Sequence, residues 1–181
     1  IDALLSRVSV PRVLEPAVSS DELDLLLRAG LRACDHGRLK PYRFILLEGG
    51  ARSRLGEAMS HYLHRDLVDV SEEAIEATKN KALRAPTLLS VIFCPQDHEK
   101  IPDVEQLVTA GCAAQLIITA AHMLGIGAIW RTGKAIYSGE VSRMLGLKEN
   151  EQVVAVIYLG RPAGHLPSPP EVNPEAFLQR L

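Results

Sequence analysis

The chain has 181 residues, 47% of them hydrophobic and 23% charged, with a net charge of -2. That length suffices for one core, and the charge leaves no basic field for sequence-independent nucleic-acid binding. Cys34, Cys94 and Cys112 are scattered beside apolar residues with no paired spacing, so reduced core thiols are expected rather than disulfides.

No signal peptide precedes the first periodic segment, although the chain begins at Ile1 without Met, and a cytoplasmic location is expected. Asp2 to Arg7 allows a helical turn or two, which Ser9-Val10-Pro11 closes because proline removes a donor and biases the preceding residue away from the α region. Arg7, Ser9 and Arg12 then lie on an extended segment, which on composition is a solvated start with ordinary charges. Ser19-x-x-Glu22 is a capping box, and Leu23, Leu26, Leu27, Gly30 and Leu31 follow at helical spacing, so a helix of about three turns is predicted, ending near Asp35-His36-Gly37. Arg43 to Leu47 reads as a short strand stopped by Gly49-Gly50. Helices are predicted over Arg52 to about His64, with Leu55, Ala58, Met59, Tyr62 and Leu63 inward, and over roughly Glu72 to Arg84. Thr87 to Cys94 is apolar on both faces, as expected of a strand covered on both sides.

After a polar loop from Pro95 to Asp103 comes the longest uncharged run, the 24 residues from Leu107 to Trp130. About 20 apolar residues suffice to span a membrane. Here Gln115, Thr119 and His122 form one polar line along a helix, and Gly125-Ile126-Gly127 would end it before Trp130, so a buried helix followed by a strand over Ile126 to Trp130 is predicted and no membrane partner is expected. Its small residues, Gly111, Ala113, Ala114, Ala120 and Ala121, let another backbone or a flat ligand come close. Ser138 caps a short helix that stops at Gly146, and Gln152 to Leu159 is the last strand. Gly160 to Leu181 holds five of the eleven prolines, so this segment is extended and must dock on something.

The residues alone leave the chemistry open. Gly125-x-Gly127 lacks the third glycine of a dinucleotide fingerprint and runs helix, turn, strand instead of strand, turn, helix. Trp130-Arg131-Thr132-Gly133-Lys134 offers a guanidinium, a hydroxyl and an exposed amide, the groups a phosphate needs. His36 reads as a cation at a helix C-terminus. His61 and His64 have no third ligand at a suitable spacing, so no metal site is expected. No Ser or Cys nucleophile with a matched base stands out.

Four motifs in sequence change the reading. Arg7-Val8-Ser9, Arg32-Ala33-Cys34-Asp35-His36-Gly37 with Pro41-Tyr42-Arg43-Phe44, Ala110-Gly111-Cys112-Ala113-Ala114, and Gly127-Ala128-Ile129-Trp130-Arg131-Thr132-Gly133 resemble, in order, the short FMN-dependent nitroreductases, over about Leu4 to Pro162. The resemblance implies a three-layer α+β fold, a central mixed sheet flanked by helices, as one domain over 1–181 in an intertwined homodimer. The tail 160–181 would pack on the partner, and FMN would sit in clefts at the subunit interface. Arg7, Val8 and Ser9 would meet the FMN ribityl-phosphate and ring edge together with Trp130, Arg131 and Thr132. Ala120, Ala121, His122, Met123, Leu124 and Gly125 would belong to the same site, and Arg32 and His36 would come from the other subunit.

The implied activity is hydride transfer from NAD(P)H to nitro compounds, quinones or another electron-poor acceptor by a ping-pong route, the hydride chemistry residing in the flavin and no side chain acting as a catalytic residue. The alternative is a flavin-binding dimer that stores or delivers FMN with negligible turnover. The chain departs from the family where Val8 replaces a second arginine, Val104 an aromatic residue, and Tyr42 a tryptophan.

Overall fold

A computed structural model describes residues 1–66 and 69–181. The elements run α1 (Asp2–Leu5), β1 (Val13–Leu14), α2 (Ser20–Gly30), β2 (Tyr42–Leu47), α3 (Gly50–Asp66), α4 (Glu72–Lys79), β3 (Thr87–Phe93), α5 (Asp103–Met123), β4 (Gly127–Arg131), α6 (Gly139–Met144) and β5 (Gln152–Pro162). Short 3₁₀ turns occupy His36–Arg38, Asn80–Leu83 and Pro174–Phe177.

Three spans differ from prediction. The capping box forms as read, with Ser19 and Glu22 each satisfying the other's backbone N–H, a contribution of about 1 kcal/mol. Yet α2 stops at Gly30, short of Asp35. A Cβ at Gly30 would lie 2.9 Å from the Ile117 side chain, so this is where α2 closes on α5 and the chain must leave the helix to reach Pro41. The helix predicted through Arg84 tightens into a 3₁₀ turn after Lys79, as the chain prepares to exit through Pro86. β5 runs on to Pro162 because β1 pairs with Arg161 and Pro162, a partner that its local apolar pattern does not announce.

β5 is the hub of the sheet: β3 and β4 both pair with it, β1 pairs with its last residues, and β2 pairs with β3. The mixed sheet of the sequence reading is corrected here, since every described pairing is antiparallel. The helix count in each connection explains this. Between β2 and β3 the chain passes through two helices, α3 and α4, and returns to the end it left. The single long helix α5 does carry the chain from β3 to β4 in the same direction, as a parallel crossover requires, but β5 lies between the two strands and is antiparallel to both.

The sheet is covered on both faces, as the continuous burial of β3 demands. Leu88 and Ile92 of β3 with Val153, Val156 and Tyr158 of β5 pack on Leu55 and Met59 of α3 and Val141 of α6. The opposite set, Leu89, Val91, Ala155, Ile157 and Leu159, packs on Leu26 of α2 and Ala114, Ile117 and Ala121 of α5. The fold is therefore α+β in three layers. α5 is the one described helix long and apolar enough to cross a membrane by length and composition, and half of its most apolar stretch is buried in this protein.

The cysteines are free but are not the core thiols expected: Cys34 is exposed, and Cys94 and Cys112 are half-buried. Cys34 lies beyond the end of α2, and Cys112 of α5 packs at the margin of the cluster formed by Ala33, Tyr42, Phe93, Ala110 and Ala113. Cys94 ends the β3 region against Glu151, and burial, then the Glu151 carboxylate, pushes its thiol up to about 11.

Two ion pairs fasten the layers. Arg43 of β2 donates to both Glu151 oxygens, at 3.1 and 2.8 Å, just before β5, and Arg161 of β5 forks onto Glu22 of α2 at 2.8 Å. The Arg43 guanidinium, with the Lys148 N–H and the Cys94 thiol, holds the Glu151 carboxyl down from 4.5 to about 2 despite burial. A carboxyl depressed on folding contributes stability that is present in full above its unfolded value and lost as pH falls through the folded one. Acid unfolding followed by circular dichroism should therefore show stability declining between pH 4.5 and 2. Glu151→Gln should remove its share of that decline, leaving the share due to Glu22, whose carboxyl Arg161 also holds down to about 2, and should cost about 1.5–3 kcal/mol at neutral pH. An unchanged acid profile in the variant would show that the pair does not couple to folding.

Candidate functional site

The expected site residues fall into three groups, and α5 measures the distance between them. At its N-terminal end His36 Nδ1 lies 2.8 Å from Glu105 Oε2. Towards its C-terminal end Ser6 Oγ lies 3.1 Å from His122 Nε2. Seventeen residues separate Glu105 from His122, roughly 25 Å at the helical rise of 1.5 Å per residue.

The first group gathers at the C-terminal end of α5. Ser6 is held by His122, and the Val10 N–H donates to the Ala128 carbonyl at 2.9 Å. Arg7, Val8 and Ser9, anchored on both sides, therefore run past the turn formed by Met123, Leu124 and Gly125. Arg7 and Val8 are half-buried and Ser9 is exposed. Gly125 has φ +71, the left-handed conformation that releases the helix into β4. Ala121 is buried, Ala120 and His122 are half-buried, and Met123 and Leu124 are exposed. The polar line predicted on this helix is real for Gln115 and Thr119, which bond to each other at 3.1 Å, whereas His122 turns to Ser6.

The second group sits at the far end of β4, about 13 Å along the strand at 3.3 Å per residue. Trp130, Arg131 and Thr132 line a cleft of about 360 Å³ with Lys81, Arg84 and Tyr158. Met59 and Ile136 complete its apolar wall. The Arg131 guanidinium lies 5.4 Å from the centre of the Tyr158 ring, and its Nε is buried without a hydrogen-bond partner among the described residues. Burial pushes the Tyr158 hydroxyl above its usual range, against the pull of Arg131 and Arg84, so it is a neutral phenol near pH 7. Among the described residues no carboxylate lines this cleft, and three cations with an orphaned donor give it a positive field.

Lys81, Arg84 and Tyr158 were not singled out in the sequence. Lys81 and Arg84 fall in the helix predicted over roughly Glu72 to Arg84, and Tyr158 in the last predicted strand, with no local signal of a site. What aligns them is the pairing of Tyr158 with Ile129 across β4 and β5, which periodicity within one segment does not carry. Thr132 also lines an adjoining space of about 240 Å³ with Gly133 and Lys134.

Arg32 and His36 form the third group. His36 is not the helix-terminal cation of the sequence reading, because α2 ends six residues earlier and His36 opens a separate 3₁₀ turn. It lines an apolar cleft of about 310 Å³ with Val104 and Val108 of α5. Arg32 lies on the neighbouring cleft, with Arg38 and Lys40. The geometry of α5 keeps this group away from the Arg7–Ser9 group within one chain.

The matched residues suit a flat, electron-accepting ring. Met59, Ile136 and Tyr158 supply apolar and aromatic surface, and Lys81, Arg84 and Arg131 surround it with donors. The distance along β4 to Arg7 and Ser9 leaves room for an extended chain ending in an anion.

The model of the family described as "Nitroreductase family" matches residues 4–161. The Escherichia coli (strain K12) protein named "Putative NAD(P)H nitroreductase YdjA" is 34% identical over 162 residues, covering 90% of this chain and 87% of its own. A Haemophilus influenzae protein named "Putative NAD(P)H nitroreductase" is 30% identical, with coverage of 87% and 85%. Among solved structures, a nitroreductase-like family protein from Bacillus cereus superposes with a TM-score of 0.84 at 20% identity, over 99% of this chain and 94% of that one. A Desulfovibrio desulfuricans protein described as a putative nitroreductase in complex with FMN gives a TM-score of 0.70 at 26% identity, over 99% and 95%. A family match over so much of the chain, supported by relatives of 30% identity or more that are covered almost end to end, establishes that the chain belongs to the nitroreductase family.

Proposed function

We propose that the protein is an FMN-dependent oxidoreductase that takes hydride from NAD(P)H and passes it to nitro compounds, quinones or another electron-poor acceptor. The observation that carries this reading is the carboxylate-free cleft at the end of β4, where the Arg131 Nε lacks a partner beside Lys81, Arg84 and Tyr158. Bound FMN supplies the hydride chemistry, and the chain supplies position and electrostatics. Trp130, Arg131 and Thr132 hold the ring. Lys81 and Arg84 stabilise negative charge on it. Arg7, Val8 and Ser9, with the α5 end from Ala120 to Gly125, take the ribityl-phosphate, and Arg7 provides a charge-assisted contact.

The site is completed by a second copy of the chain. Val104, Val108 and Met123 of α5 are 65%, 61% and 67% exposed, and Leu107 and Leu124 are exposed beside them. Together with Leu4 and Leu5 of α1 they leave apolar surface that a stable monomer rarely shows. Phe177 and Leu178 of the tail are also exposed and would pack on the partner. In this homodimer Arg32 and His36 reach the flavin held by the other subunit. Glu105 fixes the His36 ring through Nδ1 and leaves Nε2 free to face the ligand.

The purified protein should be a yellow dimer whose flavin absorbance bleaches rapidly with NAD(P)H and returns on adding a nitroaromatic or quinone. A flavin that stays oxidised under NAD(P)H would favour storage or delivery of FMN over catalysis. Arg131→Ala and Arg7→Ala should each weaken FMN about 10–150-fold in a flavin titration, and wild-type affinity in both would place the cofactor elsewhere.

His36→Ala should slow flavin reduction in stopped-flow traces while FMN stays bound, because the histidine tunes charge and takes no part in bond making. Glu105→Gln should fall between the two. Complete loss of reduction with FMN retained would make His36 a chemical participant.

A further inference from the structure

The cleft that Arg32 borders also holds two cations, Arg38 and Lys40, that the flavin site as described does not use. Arg32, Arg38 and Lys40 line a space of about 290 Å³ after the end of α2. None of the three pairs with a carboxylate among the described residues. The acid beside them, Asp35, is occupied: its two oxygens accept from the backbone N–H groups of Leu39 at 3.2 Å and Lys40 at 2.8 Å. The carbonyls at the end of α2 are also taken. Leu31 binds Leu27, Arg32 binds Ala29, and Ala33 and the Tyr42 hydroxyl bind Gly30. The Asp35 carboxylate lines the same cleft, so three cations face one anion there and the cleft keeps a net positive charge.

The loop places these cations in an unusual way. Arg38 and Lys40 have φ of 57° and 48°, left-handed values that cost a residue with a Cβ about 1 kcal/mol or more. The Asp35 brace holds them there. Asp35 also lines the apolar His36 cleft, so a cationic space and an apolar space of similar size meet at one residue. That combination suits a molecule with a flat body at one end and a phosphate monoester at the other.

We propose that Arg38 and Lys40 bind the 2′-phosphate of NADPH and give the enzyme its preference for NADPH over NADH. The inference rests on the reading that His36 lies against the flavin, since the nicotinamide then occupies the apolar cleft and the adenosine end crosses Asp35 into the cationic one. An NADH molecule offers these guanidinium and ammonium groups no phosphate monoester there, and discrimination follows from charge-assisted bonds that only NADPH can make.

The test uses the purified protein with its flavin and two fragments, 2′,5′-ADP and 5′-AMP, titrated by calorimetry. The wild type should bind 2′,5′-ADP more tightly. Arg38→Gln combined with Lys40→Gln should reduce that advantage about 10-fold or more, and Lys40→Arg should retain it. In parallel, the ratio of kcat/KM for NADPH to that for NADH should fall in the double variant. Equal affinity for the fragments in the wild type, or an advantage that survives the double substitution, overturns the proposal. So does inorganic phosphate competing as well as 2′,5′-ADP, which would make the cleft a general anion site. A protein that binds 2′,5′-ADP through this loop but whose flavin is bleached by neither nucleotide would refute the catalytic reading and leave the binding site standing.

Discussion

The length and half-burial of α5 govern the rest of the structure. One side of the helix seals a face of the sheet through Ala114, Ile117 and Ala121, and the other carries exposed valines and a half-buried Gly111. Its two ends hold the His36 loop and the N-terminal segment apart by hydrogen bonds to Glu105 and His122. A rigid spacer of this length cannot bend to bring Arg32 and His36 to a ligand held by Arg7 and Ser9. The proposed site, in which both groups serve one flavin, therefore draws on two chains, and the apolar side of the same helix is the surface on which they would meet.

Charge is distributed to the same end. The chain is slightly acidic overall, but several of its carboxylates are spent on fold-holding pairs: Glu151 with Arg43, Glu22 with Arg161, and Glu140 with Arg65 and Arg143. Of the cations without such a partner, Lys81, Arg84 and Arg131 gather around Tyr158, and Arg32, Arg38 and Lys40 around Asp35. Ion pairs that bridge elements stabilise the scaffold, and positive charge left unneutralised in a cleft raises the local concentration of anionic ligands. The chain thereby keeps a near-neutral surface and still presents two strongly positive clefts.

Much of the fold was legible because each element declares itself locally. The Ser19–Glu22 box, the two-sided burial of Thr87 to Phe93 and the Ser138 cap are short-range signals, and each appears where it was read. What escaped depends on non-local geometry. The antiparallel sheet follows from β5 inserting between β3 and β4, and no periodicity encodes strand order. α2 stops at Gly30, where Ile117 of α5 approaches so closely that a Cβ would lie 2.9 Å from it. Of the site, Trp130 to Thr132 emerged as a cluster of phosphate-binding groups, but their partners Lys81 and Arg84 come from a turn some fifty residues earlier. Arg38 and Lys40 carry no sequence signal of a site, since nothing in the sequence shows that the Asp35 carboxylate braces their loop through the Leu39 and Lys40 N–H groups.

The central claim, that each flavin is held by two chains, is tested most directly by mixing subunits. Arg131→Glu and Arg32→Glu homodimers should both lose FMN. Unfolding and refolding them together should form mixed dimers in which one of the two sites receives an intact Arg131 from one chain and an intact Arg32 from the other, so bound flavin and NAD(P)H-dependent bleaching should reappear. No recovery above the separate variants, measured on dimers shown by mass spectrometry to be mixed, would contradict the composite site.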